Sequence, residues 1–340
     1  MDPSPETLLK AVYDTVFYVT LNVGKALTAA LQRDSFLYWP FLVSSVVIAA
    51  LAWRWTVRAR AHPDKPSWRQ FFVDYFGAHI WWHRSARADY VLYVANALLL
   101  PLLFGYLLAS EKQVAGWIDA AIGNPQGAGD GAGILVRVLF TVVFFIAYDF
   151  GRFVAHSLLH DVPLLWEFHK VHHSAEVLTP MTTFRAHPVD LLVMAWVPAL
   201  TTGIVAWAFN RFAGTAVDFY TFLSVHALIW AFNLIGNLRH SPVWISYGPV
   251  LGKWLISPAH HQLHHSCEPR HFGCNRGFEL ALWDRVRGTL YVPPIQPEEF
   301  RMGLGDATDG HFHTLARMYF WPFAGAVREL KKWGRSPSST

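Results

Sequence analysis

The sequence has little charge and almost no cysteine. Only 15% of its 340 residues are Asp, Glu, Lys or Arg, whereas ordinary globular domains carry about 25%. Two cysteines, Cys267 and Cys274, cannot form a disulfide framework, and we expect both to be reduced. The basic residues flank apolar runs instead of lining one polar face, so the net charge of +4 does not indicate nucleic-acid binding. A disordered chain, a coiled coil and a disulfide-rich secreted module are therefore excluded.

Apolar sequence is abundant instead. Of all residues, 53% are hydrophobic and 16 are tryptophan. Five runs with little or no charge reach about 19 to 22 residues, the length that a helix needs to cross a bilayer. They are residues 35–53, 90–110, 134–155, 191–210 and 219–238. The sequence therefore predicts an all-α, polytopic membrane protein with about five transmembrane helices.

Lys and Arg are unevenly distributed between the connecting segments. Segment 54–89 contains seven of them, whereas 111–133 contains only Lys112. Because positive loops stay on the cytoplasmic side, we expect the segments after the first, third and fifth spans, and the C-terminal third, to be cytoplasmic. We also expect an interfacial helix over 1–34, two spans over 35–133, and a cytoplasmic or interfacial tail over 293–340. The compact chain favours the inner membrane of a bacterium, or the endoplasmic reticulum membrane in a eukaryote.

Histidines form three clusters after residue 150, all on the predicted cytoplasmic side. The spacing is i, i+4 in HSLLH and i, i+3, i+4 in HKVHH and HQLHH, so on a helix the rings of each cluster point towards one place. Eight such histidines exceed what one metal ion binds, so at least two metals are implied. An imidazole-rich site without cysteine suits iron better than zinc, because iron supports oxygen chemistry. The predicted catalytic and metal-binding residues are His156, His160, His169, His172, His173, His261, His264 and His265.

The ordered set H-x3-H, H-x2-HH and H-x2-HH after membrane spans resembles the fatty acid hydroxylase superfamily, also called the sterol desaturase family. The resemblance covers roughly residues 135–292, within a predicted catalytic domain over 134–292. Segments outside the bare histidine spacing are also similar to the family: LLWEFHKVHHS, FRAHPVD, NLRHS, SPAHHQLHHS and NRGFELALWDRVRGTLY.

This resemblance implies a cytoplasmic helical cap that holds two non-haem irons. It implies that O2 is a co-substrate and that a C–H bond of a lipid or sterol-like molecule, which enters from the bilayer, is hydroxylated or desaturated. The chain shows no haem-attachment motif, nucleotide fingerprint or separate redox domain. We therefore expect an external electron donor, a ferredoxin or a cytochrome with its reductase, and a dependence on pterin stays open.

Members of this family usually carry a further ligand, or an H-x3-H pair, near the cytoplasmic end of the last span. His240 occupies that place and is predicted as a ninth metal ligand, although the residue four positions before it is Gly236. His226 or His187 could supply the missing ligand, or water could fill the position. On one straight helix His226 and His240 would lie about 21 Å apart, so the two cannot bind the same metal pair unless the helix breaks.

Two polar residues are predicted to support the metal site from behind its ligands. A ligating imidazole needs its other nitrogen held by a carboxylate or carbonyl. Asp149 lies seven residues before His156, on the same helical face, and a carboxylate near the membrane edge is costly unless it has a role. Asn237 could hydrogen-bond to water or substrate in the site, or it could cap the last span.

Two functions of other classes are consistent with parts of this pattern. A di-haem membrane cytochrome could place two haems along one helix through His226 and His240, but it requires matching histidines on a second helix. A metal-ion transporter could capture ions with cytoplasmic histidines, but it should carry ligands near the midplane of several spans.

Overall fold

The computed structural model describes residues 5–59, 67–104, 107–122 and 132–333, and within them the chain is mostly helical, as predicted. Five short 3-10 turns cover Ala29–Leu31, Pro180–Phe184, Asn237–His240, Pro269–His271 and Asp309–His313. The strands β1 (Thr221–Phe222) and β2 (Val225–His226) form an antiparallel hairpin. The helices are α1 Pro5–Leu27, α2 Trp39–Ala59, α3 Trp68–Phe76, α4 Ala78–Trp81, α5 Arg84–Phe104, α6 Glu111–Ile122, α7 Ile134–Asp161, α8 Pro163–His173, α9 Pro188–Ala213, α10 Ala227–Gly236, α11 Gly248–Leu251, α12 Pro258–His264, α13 Leu282–Arg287 and α14 Leu315–Trp333.

Helices α7 and α9 are the two described helices that are long and apolar enough to cross a membrane. They pack closely, because a Cβ at Gly151 would overlap with Thr201 Oγ1 and lie 2.7 Å from the Cα of Pro198. Side chains such as Leu139 and Ile204 point away from the protein and are exposed. Exposed apolar surface on two long helices indicates association with a membrane.

The other predicted spans meet different outcomes. Runs 35–53 and 90–110 lie largely within α2 and α5, which have 21 residues each, although residues 105–106 lie outside the described part. That these two helices cross the bilayer stays a prediction. In the predicted interfacial segment, α1 packs on α5 through the Tyr93 hydroxyl, which donates to the Ala26 carbonyl at 2.9 Å.

The prediction of one helical span over 219–238 is wrong. The chain there forms the β1–β2 hairpin, whose turn residues Leu223 and Ser224 have φ of 49° and 68°. Only ten residues follow in α10, and ten helical residues extend about 15 Å, half of the roughly 30 Å hydrocarbon core. The hairpin is held by side chains of α7, since Thr141 Oγ1 accepts from the Tyr220 backbone N–H at 2.8 Å.

A buried arginine fixes the helix that carries the second histidine cluster. Arg185 has no exposed surface, and its guanidinium donates to Asp89 on α5 at 2.7 Å and to the Val171 carbonyl on α8 at 2.8 Å. The same side chain reaches the Phe312 carbonyl, just before α14, at 3.0 Å. Removing one member of a buried ion pair typically costs about 3–5 kcal/mol, so Arg185 is a major determinant of how α5, α8 and α14 assemble. Residues 334–340 of the predicted tail lie outside the described part.

Candidate metal centre

Four segments bring the predicted histidines together. The C-terminal end of α7 supplies the first pair, α8 supplies three residues, the 3-10 turn after α10 supplies one, and α12 with its C-cap supplies the rest. The first turn of α8 begins with Pro163, and α12 begins with a capping box from Ser257 to His260. These local signals start both short helices at the positions that align their histidines. All nine histidines predicted as ligands converge: His156, His160, His169, His172, His173, His240, His261, His264 and His265.

The nine side chains divide into two adjoining groups. The five-histidine group consists of His156, His160, His169, His173 and His264, and the four-histidine group consists of His172, His240, His261 and His265. Within each group the candidate ligand atoms lie within 4.8 Å of one another. Both groups are almost entirely buried, with only His160 more exposed than the others.

The division between groups crosses the sequence motifs. In each H-x2-HH motif, the i and i+4 rings stay in one group and the i+3 ring enters the other. Thus α8 places His172 in the four-histidine group, and α12 places His264 in the five-histidine group. The i and i+4 side chains stack along one face of a helix, so α8 and α12 exchange one ligand each where their faces meet.

The imidazole nitrogens are placed for a cation. The Nδ1 of His156 lies 2.8 Å from the Arg276 carbonyl, and the Nδ1 of His264 lies 2.7 Å from the Cys274 carbonyl. A carbonyl only accepts, so each Nδ1 carries the proton and each Nε2 carries a lone pair. The two Nε2 atoms nevertheless lie 3.1 Å apart. They cannot hydrogen-bond to each other, and a shared metal ion is what makes this arrangement favourable. The donor set therefore fits metal ions.

The outer nitrogens of two further histidines are also held. The Nδ1 of His169 donates to the Asp190 carboxylate at 2.8 Å, and both side chains are buried. The Nδ1 of His172 donates to the Arg185 carbonyl at 3.1 Å. These contacts fix ring orientation and leave Nε2 free as the ligand. Sequence reasoning missed Asp190, although an acidic residue in the first turn of a long apolar helix, beside a family-like motif, was a usable signal.

Burial keeps two imidazoles of the short helices neutral. Desolvation is the largest cause that lowers the pKa of His172 to about 4, and repulsion of its charged form by the neighbouring His169 adds to it. Desolvation is also the main reason why the pKa of His264 falls to about 3. A neutral imidazole is the form that binds metals, so both side chains are ready to act as ligands at neutral pH.

Both residues predicted to support the site from behind bind elsewhere. The Asp149 carboxylate accepts from the Glu279 and Leu280 backbone N–H groups and from Trp283 Nε1, at 2.8–3.1 Å. None of these partners is a histidine, so Asp149 holds the turn before α13 and not a ligand. The Asn237 amide donates to the Phe36 carbonyl at 2.9 Å and so ties the 3-10 turn to the segment before α2.

Three further positions bear on a possible tenth ligand: His187, His226 and Gly236, where the family pattern has its ligand. Each of them makes other contacts. His187 caps α9, where its Nδ1 accepts from the Val189 N–H at 3.0 Å. His226 lies in β2, 3.1 Å from the Thr141 carbonyl. A Cβ at Gly236 would lie 2.8 Å from the ring of Phe36. The structure places none of the three in either group. Both cysteines are buried and free, as expected.

Comparisons with known proteins agree with the resemblance seen in the sequence. Residues 141–289 match the model of the fatty acid hydroxylase family. The ornithine lipid hydroxylase OlsE of Rhizobium tropici is 30% identical over 182 residues, 52% of this chain and 50% of that protein. The alkylglycerol monooxygenase of Xenopus tropicalis is 28% identical over 44% of this chain and 30% of that protein, and the Delta(7)-sterol 5(6)-desaturase of Eremothecium gossypii is 28% identical over 46% and 39%.

The chain spans half or less of the length of these three relatives. The relatives act on different lipids by their names, but all are oxygenases or desaturases. No solved structure matches the chain.

Proposed function

We propose that this protein, which carries a fatty acid hydroxylase domain over residues 141–289, is a membrane-bound di-iron oxygenase that hydroxylates or desaturates a C–H bond of a lipid or sterol-like substrate. The observation that carries the proposal is the pair of buried histidine groups, within each of which imidazole Nε2 atoms lie about 3 Å apart. The five-histidine group would hold one iron and the four-histidine group the other.

Bound iron supplies the chemistry that the side chains lack, namely activation of O2 and oxidation of an unactivated C–H bond. Hydroxylation consumes one O2, two electrons and two protons, and releases water. We propose that an external ferredoxin, or a cytochrome with its reductase, delivers the electrons.

The chain's own residues hold and shield the site. Backbone carbonyls and Asp190 keep the Nδ1 protons of four of the rings, so that these present Nε2 inwards: His156, His169, His172 and His264. Burial of the rings excludes water and preserves their neutral form. Because five of the nine histidines come from the end of α7 and from α8, the site lies at one end of the candidate spans α7 and α9. The basic segment 54–89 supports a cytoplasmic position for this end and a multi-pass arrangement.

The structure gives less support to the two competing functions. A di-haem cytochrome needed His226 and His240 on one helix, but β2 holds the first and the four-histidine group holds the second. A transporter needs ligands near the midplane of several spans, whereas the described histidine groups gather at one end of α7.

The proposal is tested by measuring metal content and spectrum together. Protein purified anaerobically in detergent should contain about two irons per chain by plasma mass spectrometry and show no haem Soret band. His172→Ala and His264→Ala should each lower iron content and abolish incorporation of ¹⁸O from ¹⁸O2 into lipid, because each removes a ligand from a different group. The exposed His79 provides the control, and His79→Ala should keep both iron and activity. A haem spectrum, or normal iron with full activity in both ligand variants, contradicts the proposal.

A further inference from the structure

A cavity of about 360 Å³ opens directly onto the five-histidine group. His160, His173 and His264 form part of its wall, and the ring of Trp166 packs at a tilt against those of His160 and His173. The volume lies at the lower end of the range for small-molecule sites, roughly 300–1,000 Å³. A molecule in this cavity would therefore contact the metal ligands with a small part of its structure, not with a whole lipid.

Charged side chains form part of the wall of this cavity. Lys170 from α8, Arg276 from the segment before α13, and Asp306 all line it. A second cavity of about 310 Å³, bounded by Leu100, Phe184 and Leu191, is largely apolar. One residue of its wall, Thr183, contacts His240 of the four-histidine group. The part of a substrate that enters the first cavity would therefore lie beside charged side chains.

Arg276 has a donor that the protein leaves unused. The residue is only 8% exposed. Its Nη1 donates to Asp161 at 2.6 Å, but its buried Nε–H finds no acceptor among the described residues. Another buried arginine, Arg185, uses Nε, Nη1 and Nη2 in hydrogen bonds. A buried donor without an acceptor is destabilising, and Arg276 lines the cavity, so an anion that enters could accept hydrogen bonds from this guanidinium.

Lys170 adds a second cation to the wall. Its Nζ lies 2.7 Å from Glu167 Oε1, and the side chain retains 17% exposure. Asp161, the partner of Arg276, is shared with Arg287, so two guanidinium groups divide one carboxylate. An incoming anion can therefore bind Arg276 without leaving Asp161 unpaired.

We propose that this cavity receives the anionic head of a lipid, a phosphate or carboxylate group, through Arg276 and Lys170. The C–H bond that reacts then lies in the head or within a few bonds of it, and the tail stays outside towards the membrane. This inference rests on the proposed function for the reaction, but the binding it describes requires no turnover.

Binding is measured by calorimetry with the iron-loaded protein in detergent, kept anaerobic. Dihexanoyl phosphatidic acid is compared with dihexanoylglycerol, and octanoate with octanol, so that each pair differs in the anionic group. We expect at least a tenfold preference for the anionic member of one or both pairs. Equal affinities within both pairs would overturn the inference. Inorganic phosphate that binds as tightly as the phosphate lipid would show a site for free anions and would overturn the assignment to a lipid head.

Two variants locate the site. Arg276→Gln should reduce the preference to less than twofold, whereas Arg285→Gln should retain it, because the exposed Arg285 lies over the ring of Trp254 and does not line the cavity. Equal loss in both variants contradicts the assignment. If Arg276→Gln fails to fold, Lys170→Gln takes its place and should reduce the preference by threefold or more.

The inference and the proposed function can fail separately. A protein that oxidises lipids with neutral heads and has no preference for anionic ones would refute this inference and leave the proposed function standing. A protein that prefers anionic lipids but holds no iron would refute the proposed function and leave this inference standing.

Discussion

Replacing Asp190 by Asn should weaken metal binding without unfolding the protein. The Asp190 carboxylate accepts the Nδ1 proton of His169 at 2.8 Å, with both groups buried. Asparagine keeps the shape and one acceptor oxygen but removes the negative charge that makes His169 a stronger ligand. Loss of such an outer contact typically costs 10–100-fold in metal affinity, or about 1.4–2.8 kcal/mol. Stability should fall by no more than about 1 kcal/mol, the value of an acidic residue in a first helical turn.

Asp149→Asn is the matched control, because the sequence favoured Asp149 for this same role. The native carboxylate accepts from Glu279 N, Leu280 N and Trp283 Nε1. An amide has one acceptor oxygen, so at least one buried donor is left without a partner, at a cost of about 1–3 kcal/mol. We expect lower stability and unchanged iron affinity, the opposite of the result for Asp190→Asn.

The assay combines anaerobic competition of ferrous iron with a chelator and thermal unfolding of both variants in one detergent. The reasoning is refuted if Asp190→Asn binds iron as tightly as the native protein, or if Asp149→Asn loses as much affinity. It is also refuted if Asp190→Asn unfolds before it loses metal, since Asp190 would then act on the fold and not on His169.

Acid should destabilise the metal-free protein. His172 and His264 have pKa values of about 4 and 3 in the folded protein, against 6.5 in the unfolded chain. Their contribution to the free energy of unfolding is therefore complete above pH 6.5 and is lost as the pH falls from there through the folded values. Denaturant titrations between pH 3 and 8 measure this, and a flat profile contradicts it. Gly151→Ala on α7 should destabilise by about 1–3 kcal/mol, because its Cβ would lie 2.7 Å from the backbone Cα of Pro198 on α9. Gly116→Ala on α6, where nothing lies within 4 Å, should instead stabilise by about 0.5–1 kcal/mol, and equal shifts in the two variants would argue against the close α7–α9 contact.

Eight of the nine converging histidines were predictable because their spacing is local, whereas His240 was predicted from the family resemblance. An i, i+4 pair on a helix shares one face whatever surrounds it, so the pairs in α7, α8 and α12 could be read directly. The division into groups was not predictable, since it depends on how α8 meets α12. His172 and His264 each have the same place in their motif, and each crosses to the group of the other helix.

The choice between Asp149 and Asp190 shows a different limit. The helical face of Asp149 was inferred correctly from its spacing to His156, but residues 279–283 cover that carboxylate from 130 or more positions away. Asp190 reaches His169 because the 3-10 turn Pro180–Phe184 brings α9 back towards α8. The contacts of Asp149 carry no local signal, and Asp190 offered only its place in the first turn of a long apolar helix.

The break in the fifth apolar run explains why His240 can join the site. A continuous helix over 219–240 would have kept His226 and His240 on one rod, about 21 Å apart. The hairpin instead holds His226 against α7, and the 3-10 turn after Gly236 carries His240 to within 2.8 Å of His261. Hydropathy cannot detect this break, because the hairpin, α10 and a spanning helix are all apolar. The irregular backbone that makes the predicted span wrong is thus also what places the ninth histidine in the site. It also removes the continuous helix on which a di-haem cytochrome would depend.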